Sequence, residues 1–297
     1  MIQKAENRMD VGMHQDVERA RILARALSRP IFTSLAKGEE PKRVFKSLVA
    51  AGVTTDFRTV GELFSGAYKA LRSTYRNEYV YKSAIANRIV FGRHSPRTTA
   101  LSVELPVGRS IVDVAVFNGT STAYEIKTEF DSPRRLVTQT PDYLKAFDRV
   151  YVVTHPDLAQ RYASSCDERV GVLSLDSRDR LKTVREAARN IENVDPRAVF
   201  RMLRRDEYVS ALEKKFGVKI DLPNGLIASH CEEVFSELNY DFAHYAFLSA
   251  MRKRTINEEV VGFLSALPEC LRVLGYSSPL SKPQRQRALA ALEMPCN

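Results

Sequence analysis

Cysteine is scarce and scattered: the chain has four, Cys166, Cys231, Cys270 and Cys296, and no Cys-x-x-Cys pair. Neither a disulfide framework nor a thiolate zinc cluster is expected, and the thiols read as reduced core or surface groups. The five histidines, His14, His94, His155, His230 and His244, show neither His-x-x-x-His nor His-Glu-x-x-His spacing, which argues against zinc. No apolar run approaches the roughly 20 residues that cross a bilayer. Met1 to Asn7 is polar with no apolar stretch behind it, so a cytoplasmic protein with no membrane partner is expected. Gly-x-x-x-x-Gly-Lys-Ser/Thr and Gly-x-Ser-x-Gly are also missing, and with them any signal for a nucleotide-driven motor or an esterase.

What is present in excess is positive charge. Lys plus Arg is 45 against 36 for Asp plus Glu, a formal net charge of +9 on 297 residues, while 44% of the chain is hydrophobic. The hydrophobic share excludes wholesale disorder, and the charge suits a polyanionic partner, because Lys and Arg release condensed counterions from phosphate backbones.

The hydrophobic period divides the chain into three: a helical N-terminal region over 1–73, a core over 74–176, and a helical C-terminal region over 177–297. In the first region Val17, Ala20, Leu23, Ala24 and Leu27 fall at helical spacing behind an Asp16 cap, and Pro30 is expected to end that helix. Pro41 suits the first turn of a second helix carrying Val44, Phe45, Leu48 and Val49, closed by Gly52, and a third helix covers Phe57 to Arg72. The Ala51-Gly52-Val53 turn also permits a helix-turn-helix reading, with a packed helical cap as the plainer alternative.

A helix from Thr74 to Phe91 leads into segments rich in β-branched residues, Ala100–Val107, Ser110–Asn118 and Thr122–Phe130, followed by Arg149–Thr154 and Arg169–Leu175. Asn118-Gly119 predicts a type I′ hairpin turn. A helical stretch from Pro133 to Phe147 makes a strand, helix, strand crossover, so the fold class is α/β with a mixed sheet. Helices are then expected at Leu181–Ile191, Pro196–Phe216, Ile227–Leu238, Asp241–Arg252 and Asn257–Leu274, before a polar, basic tail from Ser277 expected to be partly disordered.

Charged residues interrupt the apolar strands at Asp113, Glu125 and Lys127. A lone carboxylate there would cost several kcal/mol unless paired or ligated. If the chain turns at Asn118-Gly119, Asp113 and Glu125 are nearly opposed on antiparallel strands, and Lys127, two residues on, shares the face of Glu125. Two carboxylates and a lysine on one face suit Mg²⁺ or Mn²⁺, with the Ile126 carbonyl as a further ligand, and the reaction class is phosphodiester hydrolysis. The plain alternative is a cross-strand ion pair.

An Asp near a strand end, a short hairpin, Glu-x-Lys in the next strand and a preceding helix with a glutamate resemble the PD-(D/E)XK nuclease superfamily, here as Glu78, Asp113, Glu125 and Lys127. Gln139-Thr-Pro-Asp-Tyr143 is similar to the Gln-x-x-x-Tyr motif of the RecB-like branch, and the whole chain resembles uncharacterised bacterial and prophage-borne members of it. Two departures are visible: Val112 stands where the family name suggests proline, and Pro141 interrupts the Gln-x-x-x-Tyr segment, so the helix is expected to begin near Thr140. The resemblance implies a restriction-endonuclease-like mixed sheet flanked by helices, with Asp113 and Glu125 holding the metal, Lys127 activating water and Glu78 supporting the metal shell. It also implies that Gln139 and Tyr143 orient substrate. Arg134 and Arg135, directly after the site strand, are candidates to grip phosphates, as are Arg93, His94 and Arg97. Glu129 and Asp131 read as solvated.

The expectation is thus a divalent-metal-dependent nuclease acting on DNA, phage-related by resemblance, with a homodimer or protein partner possible through the helical C-terminal region. A catalytically inactive nucleic-acid-binding or regulatory protein of the same fold is the alternative.

Overall fold

The computed structural model describes residues 16–39, 42–53 and 57–296. They form two compact units, one made of the chain up to Asn87 and from Glu259 onward, the other of Arg88–Glu258. The N- and C-terminal helical regions therefore belong together rather than forming separate ends. The C-terminal cut falls at Glu258/Glu259 because helices after residue 177 pack on the sheet.

The first unit opens with α1 over 16–26, α2 (Arg29–Lys37), α3 (Lys42–Ala50), α4 (Val60–Thr74) and α5 (Glu78–Ile85), which runs on as a π-helix over Ala86–Arg93. Pro30 opens α2 instead of closing the helical run, since the first turn has no use for its missing N–H. The expected apolar face of α4 is buried at Val60, Leu63, Phe64, Ala67 and Leu71. The helix expected from Thr74 is interrupted, with Tyr75 extended after α4 and Asn77 extended before α5. Residues 51–59 separate α3 from α4, far more than the three or four of a helix-turn-helix, so that reading does not fit. Pro41 lies outside the described residues.

In the second unit β1 (Ala100–Val107), β2 (Ser110–Phe117), β3 (Ser121–Lys127), β4 (Arg149–Thr154), β5 (Gly171–Leu175) and β6 (Leu181–Arg185) lie side by side in chain order. β3, β4 and β5 are parallel and the remaining neighbours antiparallel. The α/β class with a mixed sheet flanked by helices is thus observed. The parallel steps carry α6 (Leu136–Leu144) and α7 (Pro156–Ser165); α8 (Pro196–Phe200), α9 (Arg205–Phe216), α10 (Asn224–Ser236) and α11 (Tyr240–Thr255) follow. One core joins Ala115 and Phe117 of β2, Ala123 of β3 and Val152 of β4 to Tyr143, Phe147, Phe235 and Phe247. The Phe247 ring meets Phe117 edge-on at 5.1 Å and Phe147 at 5.7 Å.

Two local expectations are corrected. Leu181–Ile191 is not a helix: its first half is the edge strand β6, whose Lys182, Thr183 and Val184 are exposed, and charged edges discourage further pairing. The β2–β3 turn has three residues, because Phe117 pairs with Ser121 and positive φ occurs at Gly119 (67°) but not at Asn118. The two-residue hairpin is instead Gly108-Arg109 between β1 and β2, with Gly108 at φ 60°.

The chain returns to the first unit with α12 (Glu258–Ala266), α13 (Arg272–Ser277) and α14 (Lys282–Glu293). The expected disordered tail is therefore ordered: Ser281 and Gln284 form a capping box, and Ala288 and Leu292 are buried in a helix packed on α2.

Candidate active site

The three-residue turn keeps the register that the site needs. The β2–β3 ladder ends at Val114↔Tyr124, so the next step sets Asp113 opposite Glu125. There the backbone pairing gives way, and the Ile126 N–H donates to Asp113 Oδ2 at 2.6 Å instead of to β2. Glu125 and Lys127 are buried, at 2% and 7% exposure. Alternation along β3 places them on the face carrying α6, while Tyr124 faces the other way and stacks on Tyr151 at 5.7 Å.

A buried ion pair is stable only when its remaining donors and acceptors are also satisfied. Here Lys127 Nζ donates to Glu125 Oε1 at 2.5 Å and to Gln139 Oε1 at 3.4 Å. Gln139 Nε2 donates to the Tyr143 hydroxyl at 3.2 Å, and that hydroxyl lies 2.8 Å from Glu125 Oε2. Glu125, Lys127, Gln139 and Tyr143 thereby close a ring of hydrogen bonds. The Tyr143 hydroxyl also reaches the Ile111 carbonyl at 2.7 Å. Burial, then the charge of Glu125, raises the Tyr143 pKa, so the phenol stays a donor.

Helix α6 makes this possible. It starts at Leu136, not near Thr140, so Gln139 lies inside it and one turn before Tyr143. Pro141 removes only the bond to the carbonyl of Val137, a residue 78% exposed, where water can serve that oxygen. Asp142, overlooked at the level of sequence, ties α6 to the β1–β2 turn by accepting from Ser110 Oγ at 2.6 Å and from the Arg109 N–H at 3.2 Å. Tyr143 is wholly buried and its hydroxyl touches Glu125, while Gln139 is half-buried beside Lys127.

Arg134 and Arg135 are exposed on the 3-10 turn after β3. Asp131 is engaged, accepting from the Thr128 N–H at 2.8 Å and Thr128 Oγ1 at 2.7 Å to hold the loop that leaves the site. Glu78, in the other unit, pairs with Lys82 at 2.5 Å, the ordinary i,i+4 helix contact.

Among the described residues no three His, Cys, Asp or Glu side chains gather into a ready metal cage. The donor set nonetheless fits Mg²⁺ or Mn²⁺, since Mg²⁺ is commonly held by one or two carboxylates together with substrate phosphate and water. Asp113 and Glu125 would supply those carboxylates. Ile126, past the last β2–β3 pair, would supply the carbonyl.

A second polar cluster, missed in the sequence, anchors the chain where it leaves the C-terminus of α6. The buried Asp148 carboxylate accepts from Thr120 Oγ1 at 2.5 Å, Arg189 Nε at 2.9 Å and the Asn190 N–H at 3.1 Å. Burial alone would raise its pKa, but these bonds outweigh it and hold the carboxyl below its ordinary value. Ser121 Oγ takes the Asp148 N–H and lies 3.0 Å from His244 Nε2. The one signal for this cluster was an Asp between an apolar pair, Ala146-Phe147, and a strand.

Among known proteins, the family described as Bacteriophage P4 protein cII matches residues 71–267. Protein cII of Enterobacteria phage P4 is 34% identical over 65 residues, which make up 22% of this chain. The matched stretch spans 25% of that phage protein's length. A protein of unknown function from Silicibacter pomeroyi is 18% identical over 42% of this chain and 86% of its own, with a TM-score of 0.29.

Proposed function

The chain belongs to the family of bacteriophage P4 protein cII; from the geometry of its site we propose that it is a divalent-metal-dependent nuclease hydrolysing phosphodiester bonds in DNA. The observation that carries this reading is the closed ring around Glu125 and Lys127, with Asp113 opposite. Replacing a buried ion pair by apolar side chains is often neutral or stabilising, so stability alone gives little reason to keep one at a strand end. Chemistry gives a reason.

Asp113, Glu125 and the Ile126 carbonyl would hold the cation, which when bound polarises a phosphodiester and lowers the pKa of a coordinated water. Lys127, its ammonium fixed by Glu125 and Gln139, has a third hydrogen with which to orient the attacking water. Tyr143 and Gln139 keep both charged groups from rotating. Arg134 and Arg135, with the net charge of +9, favour a polyanionic substrate.

The test is cleavage of supercoiled plasmid and of linear single-stranded DNA in Mg²⁺, Mn²⁺ or EDTA by the parent, Asp113→Ala and Lys127→Ala. Cleavage by the parent alone, abolished by EDTA, is expected. No cleavage, with tight metal-independent DNA binding common to all three proteins, would replace this reading by the binding module.

A further inference from the structure

Helices α9 and α11 lie antiparallel, and two contacts fix them so. Arg254 at the end of α11 bonds Glu207 at the start of α9 at 2.6 and 2.7 Å. Lys215 at the end of α9 stands 5.3 Å from the centre of the Phe242 ring at the start of α11. Between the two helices runs a 650 Å³ groove, lined along its middle by the small side chains of Ala211, Ala246 and Ala250.

We propose that this groove grips the sugar–phosphate backbone of duplex DNA; the inference rests on the DNA substrate of the nuclease reading and names a surface that binds it. Donor chemistry is the first argument. Lys214, Lys253, Ser210, Ser249 and Tyr245 line the groove, and none of these five side chains has a hydrogen-bond or ion-pair partner among the described residues. All five can donate. Acceptors are few: Arg254 takes up Glu207, which leaves Asp206 as the one unpaired carboxylate along the groove among the described residues. Lys and Arg at 204, 214, 215, 253 and 254 outnumber those two acids by three. A concavity rich in donors and poor in acceptors suits a ligand made of acceptors, and ammonium, serine and tyrosine groups are among those that hold phosphate oxygens.

Length is the second argument. Helix α9 has 12 residues, so the groove beside it extends for about 18 Å at roughly 1.5 Å per residue. One strand of a duplex places a phosphate every 3.4 Å or so, which sets about five of them along that distance. A single phosphate would leave most of these donors empty, whereas a polymer backbone meets them in series. The third argument separates duplex from single strand. Sequence-tolerant single-strand binding needs aromatic rings on which successive bases stack. The groove has two rings: Phe242 is covered by Lys215, and only Tyr245, at 57% exposure, stands open. Small side chains between cations instead admit the ridge of a duplex backbone.

The test measures binding in EDTA, so that it does not depend on turnover. Fluorescence anisotropy would titrate a labelled duplex of about two helical turns with the parent, Asp113→Ala, Tyr245→Phe and the double variant Lys214→Glu/Lys253→Glu. Lys37→Glu/Lys69→Glu, at exposed positions in the other unit, makes the same change in net charge away from the groove. The parent and Asp113→Ala are expected to bind alike and to prefer the duplex to a thymidine oligomer of equal length. The groove variant is expected to lose at least about tenfold in affinity and to show a shallower salt dependence, by about 1.8 in log–log slope for two lost phosphate contacts. The matched control is expected within about twofold of the parent, because charges more than roughly 10 Å from the phosphates are screened at 0.1 M salt. Tyr245→Phe is expected to lose about twofold to tenfold, the worth of one hydrogen bond. Circular dichroism checks folding, and Lys214→Gln/Lys253→Gln, expected to bind between the parent and the reversed pair, replaces that pair if it unfolds.

The groove is overturned if the reversed and neutralised pairs bind the duplex as the parent does, or if the matched control loses as much. It is also overturned if the single strand binds more tightly than the duplex, or if polyglutamate displaces the duplex at matched charge, which would make the groove a seat for an acidic protein. The two readings fail separately. Groove-dependent duplex binding without metal-dependent cleavage sinks the nuclease and keeps the groove, whereas Asp113-dependent cleavage with unaltered binding by the groove variants sinks the groove and keeps the nuclease.

Discussion

Tyr143→Phe removes one oxygen atom from the centre of the ring and leaves everything else in place. The phenyl ring stays in the core beside Leu144 and Phe147, so no cavity is opened. What goes is the hydroxyl that lies 2.8 Å from Glu125 Oε2, 2.7 Å from the Ile111 carbonyl and 3.2 Å from Gln139 Nε2. Its single proton serves the charged acceptor best, and a hydrogen bond to a charged group is worth about 1.5–3 kcal/mol, with the stranded acceptor left buried. A loss of about 2–3 kcal/mol is therefore expected. For a cooperative unit of 150–250 residues this lowers the melting temperature by about 4–12 °C. Urea denaturation followed by circular dichroism at neutral pH measures it, with Tyr245→Phe at an exposed site as control, expected within about 0.5 kcal/mol of the parent. A double-mutant cycle with Glu125→Gln should return a coupling of at least about 1 kcal/mol, because the two groups touch. Tyr143→Phe within about 0.5 kcal/mol of the parent, or strict additivity in the cycle, would refute the claim that this hydroxyl locks Glu125.

Other expectations follow from the same contacts. His244 is buried and its pKa lowered by burial first and then by the charge of Arg189, against which Asp148 and Asp241 act, so the unfolded chain takes up the proton more readily. Stability conferred by the neutral ring is present above about pH 6.5 and falls as the pH drops below it; urea midpoints between pH 7.5 and 5 should show a loss that His244→Gln reduces. Glu104 sits at φ 54° where it is skipped in the β1–β2 register opposite Asp113, and Glu104→Gly should gain about 1 kcal/mol in chemical denaturation by relieving that backbone. Gly171→Ala places a Cβ 2.3 Å from the Tyr151 ring and 2.6 Å from the Ala187 nitrogen; a loss of about 1–3 kcal/mol is expected on unfolding, and a neutral result would mean that β5 and Tyr151 move apart freely.

Richness in β-branched and aromatic residues determined β1 to β5, because such side chains pack well on a pleated surface. The same apolar runs made Asp113, Glu125 and Lys127 conspicuous as charges in buried strands, and the i,i+4 spacing marked Gln139 and Tyr143 as partners on one helical face. Edges and turns were harder to read. β6 carries Lys182 and Arg185 because an edge strand faces water, so its pattern lacked the apolar face that identifies a strand, and Asn118-Gly119 carried a turn signal that said nothing of a third residue. Only the tertiary structure decided what the site residues touch. That Lys127 meets Gln139, that Tyr143 touches Glu125, and that Asp142 ties the last turn of α6 to the β1–β2 turn while Asp148 fixes the chain just past it depend on where a helix docks on a sheet. Docking is set by the summed packing of side chains far apart in the chain, such as Phe117, Phe147 and Phe247, which no local period records.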